Sequence, residues 1–300
     1  MIILDGGIGR QLQRIGAPFR QPEWSALSLM EAPEFVARAH TDFIEAGADV
    51  ITTNSYAVVP FHIGEESFRT RGAELLDLAG RLARDAARNA ARDAPRNGVQ
   101  VAAGVPPLFG SYAPGKFDTE RAPAMLALFR KHLLPHADIA LAETLSCVAE
   151  AEAFLNAFSD CGKAIWLSLT LEDNTPEPGN PKLRSGEGLV EALTLARDHS
   201  VDAVLFNCSQ PEVMADGVTR AHGDFGGGIA IGVYANAFPP MPGDHEANTG
   251  LSPVRADLTP ERYREFADQW AADGATIIGG CCGIGLEHIR ELRKTTACGA

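Results

Sequence analysis

The sequence predicts an α/β fold, a (β/α)8 TIM barrel forming one domain over residues 1–300, and three observations predict it. Short β-branched or apolar runs recur at nearly regular intervals, eight in all, and a longer stretch of helical period follows each. The runs are apolar throughout rather than alternating, as strands of a parallel sheet covered on both faces must be. The length of 300 residues suits one such barrel, whose usual size is about 250 residues.

The expected strands are Ile2–Leu4, Val50–Thr53, Val99–Ala103, Ile139–Ala142, Ala164–Leu169, Ala203–Phe206, Ile229–Val233 and Thr276–Ile278. Between them, Pro33 opens a helix in which Phe35, Ala39, Phe43 and Ala46 recur every three or four residues until Gly47 ends it. Leu75–Ala94, rich in Ala, Arg and Asp, reads as a solvated outer helix. Thr259-Pro260-Glu261 caps and opens a helix with Tyr263, Phe266 and Trp270 on one face, ending near Gly274. Glu172–Ser185 and Phe238–Pro253, dense in Pro, Gly and Asn, are expected to be long loops after strands five and seven, both over the same mouth.

Composition narrows the function. Hydrophobic residues make up 45% and charged residues 22%, and no apolar run approaches the roughly 18 residues a membrane span needs. The start, Met1-Ile2-Ile3-Leu4-Asp5, meets acid too soon to serve as a secretory signal, so a cytoplasmic location is expected. Lys and Arg number 26 against 39 Asp and Glu, a formal net charge of −13. That excess repels phosphate backbones and anionic lipid and argues against nucleic-acid or membrane partners. Of six cysteines, at 147, 161, 208, 281, 282 and 298, a reducing compartment makes free thiols or metal ligands.

In such a barrel the active site forms at the carboxyl ends of the strands. The residues just past each run are Asp5-Gly6-Gly7, Thr53-Asn54, Glu143-Thr144, Asn207-Cys208, Tyr234 with Asn236, and Gly279-Gly280-Cys281-Cys282-Gly283. Cys208, Cys281 and Cys282 can meet across the mouth. Three thiolates suit zinc and leave the fourth tetrahedral position open, as a catalytic rather than structural ion requires. A zinc ion so rich in donated charge activates water poorly but still binds a substrate thiol as thiolate, which implies alkyl transfer to sulfur. The same cysteines read alternatively as buried small hydrophobes, or as a redox-sensing or zinc-storage cluster without turnover. For Cys147, Cys161 and Cys298 a packing role is expected.

Asp5 and Glu143 are carboxylates at buried strand ends and need a cationic partner. An α-ammonium group would serve, with Gly6 and Gly7 offering free N–H groups to the accompanying carboxylate; an internal Arg or Lys is the alternative. The Gly6-Gly7-Ile8-Gly9 and Gly226-Gly227-Gly228 runs lack the lysine and spacing of phosphate loops and read as turns. The eight histidines avoid strand ends and read as surface or helix-packing residues.

Taken in order, Leu4-Asp5-Gly6-Gly7, Ile51-Thr52-Thr53-Asn54-Ser55-Tyr56, Ala142-Glu143-Thr144, Phe206-Asn207-Cys208-Ser209 and Gly279-Gly280-Cys281-Cys282-Gly283 resemble the homocysteine S-methyltransferases over nearly the whole chain. The resemblance implies zinc on Cys208, Cys281 and Cys282, the homocysteine amino group on Asp5 and Glu143, and Thr53 and Asn236 as pocket residues. Thr144 stands where betaine-using relatives carry an aromatic residue, and Val105–Tyr112 is similar to the stand-alone enzymes that take S-methylmethionine or S-adenosylmethionine. The implied partners are homocysteine and a small sulfonium donor; betaine, methylfolate or another thiol acceptor are the alternatives.

Overall fold

Apolar strands with no polar face are stable only where both faces are covered, and the chain meets that demand by closing on itself. The computed structural model describes residues 1–93, 98–240 and 253–297. Its strands are β1 (Ile2–Ile3), β2 (Val50–Thr52), β3 (Gln100–Val105), β4 (Ile139–Leu145), β5 (Ala164–Leu169), β6 (Ala203–Asn207), β7 (Ala230–Tyr234) and β8 (Ile277–Ile278). All pair in parallel in the order β1-β8-β7-β6-β5-β4-β3-β2. A parallel bridge between Leu4 and Val50, with the Asp5 amide donating to the Val50 carbonyl at 3.0 Å, closes the ring. The expected (β/α)8 TIM barrel is the fold found.

Around the barrel lie α1 (Ile8–Arg14), α2 (Ser25–Glu31), α3 (Pro33–Ala46), α4 (Pro60–Ile63), α5 (Glu65–Asp93), α6 (Ala122–Leu133), α7 (Val148–Phe158), α8 (Leu189–Asp198), α9 (Pro211–Phe225), α10 (Pro260–Ala272) and α11 (Leu286–Ala297). Helix α3 begins on Pro33 and stops at Gly47 in the left-handed region, φ 116°. At α10 the Thr259 hydroxyl accepts the Arg262 amide at 3.3 Å, satisfying a first-turn donor. Helix α5 corrects the expectation of a merely solvated helix. It starts ten residues earlier, and Leu75, Leu76, Ala79, Ala83 and Ala87 form a buried stripe, because small residues at three- and four-residue spacing let α3 and α6 pack closely. No described helix is long and apolar enough to cross a membrane.

The pleat turns alternate residues inward. Leu4, Val50, Ala102, Ile139, Leu141, Trp166, Ala203, Leu205 and Ile277 fill the interior as one apolar cluster, so the barrel is a packed core rather than a pore. Two residues further along, the same register reaches Thr52, Gly104, Glu143, Ser168, Asn207 and Tyr234 in β2 to β7, and Gly6 and Gly279 past β1 and β8. One polar layer therefore lies on top of the apolar ones, at the carboxyl ends.

Candidate active site

Two buried carboxylates sit at this end of the barrel, Glu143 in the polar layer and Asp5 just past β1. Asp5 accepts the Thr52 amide at 2.8 Å and the Thr52 hydroxyl at 3.3 Å. Glu143 was expected just past its strand but lies within β4, which continues through a register shift between Ala142 and Leu145, with Thr144 at φ 60°. Such a bulge re-aims a side chain. Glu143 also needs room: a Cβ on Gly104 would lie 2.5 Å from its Oε2. Among the described residues neither acid has an arginine or lysine partner. Burial pushes the Asp5 carboxyl up to about 7 and that of Glu143 up to about 8, where the nearby Asp5 charge adds to the effect. Two buried acids side by side hold protons until a cation joins them.

The cysteines meet opposite. Cys208 leaves β6 at φ 53°, a conformation costly for a residue with a side chain. Its carbonyl is held there by Asn236 Nδ2 at 2.8 Å and the Tyr112 hydroxyl at 3.4 Å. The Cys281-Cys282 turn after β8 is tied down by the Cys281 amide on the Ala235 carbonyl (2.9 Å) and the Ala237 amide on the Cys282 carbonyl (2.8 Å). Tyr263 of α10 anchors its approach by donating to the Gly279 carbonyl at 2.7 Å. All three Sγ atoms lie within 4.8 Å of one another.

Cys208 and Cys281 are joined as a disulfide while Cys282 remains a thiol, which corrects the expectation that none of the three would pair. Sulfurs brought this close can bond to each other as well as to a shared cation. Burial pushes the Cys282 thiol up to about 11, opposed by Arg10 and reinforced by Glu143. Behind the cluster, Asn207 accepts from the Thr144 amide (3.0 Å) and the Ser168 hydroxyl (2.8 Å). It donates to Thr144 Oγ1 (2.8 Å) and toward Cys281 Sγ (4.0 Å). One amide thus couples the β4 bulge to the cysteines.

The remaining expected residues divide. Gly6, Gly7 and Thr53 line the cavity with Asp5, Glu143 and the three cysteines. Gly7, however, spends its amide on the Ile284 carbonyl at 3.0 Å, so it is not a free donor. Its lack of a side chain serves packing, since a Cβ there would lie 2.6 Å from the Cys281 carbonyl. Thr53 Oγ1 accepts the Gly104 amide at 3.0 Å and pairs with Ser55. Asn236 is fully buried behind Cys208 and is not part of the cavity wall. Cys147 caps α7, Cys161 is half-buried, and Cys298 lies outside the described residues, as does most of the loop after β7.

The cavity itself is about 180 Å³. Aromatic rings dominate its wall: Phe19, Trp24, Tyr56, Tyr112, Tyr234 and Phe238. Sequence reasoning missed Phe19, Trp24 and Phe238, which come from loops, and Arg10 on the first turn of α1. It also placed every histidine outside the site, whereas His62 lines the cavity and its Nδ1 meets the Pro22 carbonyl at 3.0 Å. A proline-rich aromatic stretch between α1 and α2, Pro18-Phe19 through Trp24, was the available signal.

Fold and site together define a TIM barrel with a sulfur cluster and two buried acids lining one small cavity at its mouth. The family model for homocysteine S-methyltransferase matches residues 2–296, and the chain belongs to that family; it is a methyltransferase. Homocysteine S-methyltransferase 1 of Brassica oleracea var. italica is 29% identical, over 97% of this chain and 92% of its own length. A selenocysteine methyltransferase from Astragalus bisulcatus is 25% identical, over 99% of this chain and 93% of its own. Among solved structures, the homocysteine methyltransferase MmuM from Escherichia coli in its metallated form superposes with a TM-score of 0.80 at 26% identity, covering 98% of this chain and 96% of that one. Its oxidised form gives 0.81 at the same identity and coverage.

Proposed function

We propose that the protein transfers a methyl group from a sulfonium donor, S-methylmethionine or S-adenosylmethionine, to the thiol of homocysteine in a zinc-dependent reaction, giving methionine. The observation that carries this reading is the meeting of Cys208, Cys281 and Cys282 within 4.8 Å beside an aromatic wall and two buried acids that have no lysine or arginine partner among the described residues. With the Cys208–Cys281 bond reduced, the three thiols so gathered suit a tetrahedral ion with one position left for a substrate sulfur. Zinc bound there would supply the Lewis acidity that keeps a thiol deprotonated at neutral pH, where a free thiol, pKa about 8.5, mostly keeps its proton.

The chain's own groups do the rest. Asp5 and Glu143 hold the homocysteine ammonium, whose charge relieves their burial. The ring faces receive the sulfonium cation. Held in line, the homocysteine sulfur forms a bond to the methyl carbon as the donor's carbon–sulfur bond breaks, and the leaving group departs as a neutral thioether. The thiol proton goes to solvent, and no further base is needed.

The test is methionine formation from homocysteine by reduced, zinc-loaded protein, run in parallel with S-methylmethionine, S-adenosylmethionine, betaine and methyl-tetrahydrofolate. A rate with either sulfonium donor is expected. Transfer from betaine or methylfolate alone would overturn the donor class, and silence with all four despite bound zinc would favour a non-catalytic thiol cluster or another acceptor.

A further inference from the structure

The cavity takes two charged amino acids under the reading above, yet its acids account for only one ammonium. Homocysteine and a sulfonium amino acid each bring an α-carboxylate, and a carboxylate against aromatic rings needs a cation with several donors. Gly7 cannot supply an amide, since the Ile284 carbonyl holds it. Among the described residues of the wall, Arg10 is the only lysine or arginine.

Its placement is specific. The guanidinium stands over the Phe238 ring, 5.6 Å from the centroid, and Nη1 donates to Gln13 Oε1 at 3.0 Å. Arg10 therefore stands on a ring of the aromatic wall that receives the donor under this reading, in the same cavity as the sulfur cluster; Asp5 and Glu143 are already assigned to the acceptor's ammonium. A planar guanidinium there is suited to a bidentate carboxylate grip.

We propose that Arg10 binds the α-carboxylate of the methyl donor and so restricts donors to sulfonium amino acids; this rests on the sulfonium-donor reading. The experiment compares wild type with Arg10→Ala and Arg10→Lys on S-methylmethionine against its carboxamide, and on S-adenosylmethionine against its decarboxylated form. A parallel arm sets homocysteine against homocysteine carboxamide. Wild type is expected to prefer the carboxylate donor by about 10–100-fold in kcat/KM. Arg10→Ala should bring that preference to within about 2-fold, leaving the homocysteine KM unchanged, and Arg10→Lys should keep part of it.

A preference that survives in Arg10→Ala overturns the proposal. So does a loss that falls on homocysteine against its carboxamide, which would assign Arg10 to the acceptor. Calorimetric binding of each donor pair separates this from the activity itself. Carboxylate-dependent binding abolished in Arg10→Ala, with no transfer by wild type, would sustain Arg10 and sink the transferase reading. Equal binding of carboxylate and neutral forms, or none of either, would sink the assignment.

Discussion

The two ends of the barrel treat their acids in opposite ways. At the amino ends, the residues entering β2, β4 and β6 are Asp49, Asp138 and Asp202, and each accepts the amide of the neighbouring strand: Ile3 at 2.9 Å, Val101 at 2.9 Å and Ile165 at 2.7 Å. Two of the three also hold an arginine, Arg293 on Asp49 and Arg84 on Asp138. At the carboxyl ends, Asp5 and Glu143 are buried and have no lysine or arginine partner among the described residues, and both cling to protons. Acids completed by the protein itself stabilise it; acids left incomplete cost stability, and under the proposed function a substrate ammonium completes them.

The largest expected effect breaks the upper end. Glu143→Gln should lower homocysteine-dependent transfer about 10²–10³-fold, roughly 3–4 kcal/mol, because an ammonium loses its buried partner. Its melting temperature should hold or rise and its metal content stay unchanged, since the variant replaces a carboxyl that must take up a proton to be buried by an amide that is neutral already. A matching drop in stability would reassign Glu143 to structure.

Next is Asn207→Ala, which strands the buried Thr144 amide and loses the contact toward Cys281. A stability loss of about 2–3 kcal/mol by urea titration is expected, with metal affinity down about 10-fold or more; wild-type metal affinity would show that Asn207 supports the bulge alone. Smaller again, Asp138→Ala should cost about 1–2 kcal/mol for a partly exposed site, with kcat/KM within about 2-fold of wild type. Lost turnover in folded protein would erase the contrast between the ends.

The subtlest test is pH. Native Asp5 and Glu143 keep protons up to about 7 and about 8, whereas unfolded carboxyls release them near 4. The native state then binds more protons, so stability falls as pH rises across that interval and levels off above it. The window from pH 6.5 to 8 isolates the effect, because buried His40, held down to about 4, tilts stability the other way only at lower pH. Glu143→Gln should flatten the slope, and an unchanged slope would assign it to other acids such as Glu150. Homocysteine binding should strengthen over the same window.

Much of this was legible in order along the chain. The eight strands fall where the apolar runs lie, most within one or two residues, because parallel strands covered on both faces leave an uninterrupted apolar signature. Helices α3 and α10 carry their own Pro, Thr and Gly signals. The end of β4 was not legible: the bulge that extends it to Leu145 depends on Asn207, sixty-three residues away. Nor was the aromatic wall, assembled from loops whose local sequence only says that they turn.

By itself the sequence determined the barrel, the end at which the cavity opens, and that Cys208, Cys281, Cys282, Asp5 and Glu143 lie at that end, since strand periodicity and the residues at strand ends are local properties. Only the tertiary structure decided which of these groups meet, that Gly7 and Asn236 serve packing and the Cys208 turn, that Cys208 pairs with Cys281, and that Arg10 and His62 join the wall. Those outcomes depend on closing the ring, which brings residues from opposite ends of the chain into contact, and no window of sequence contains that distance.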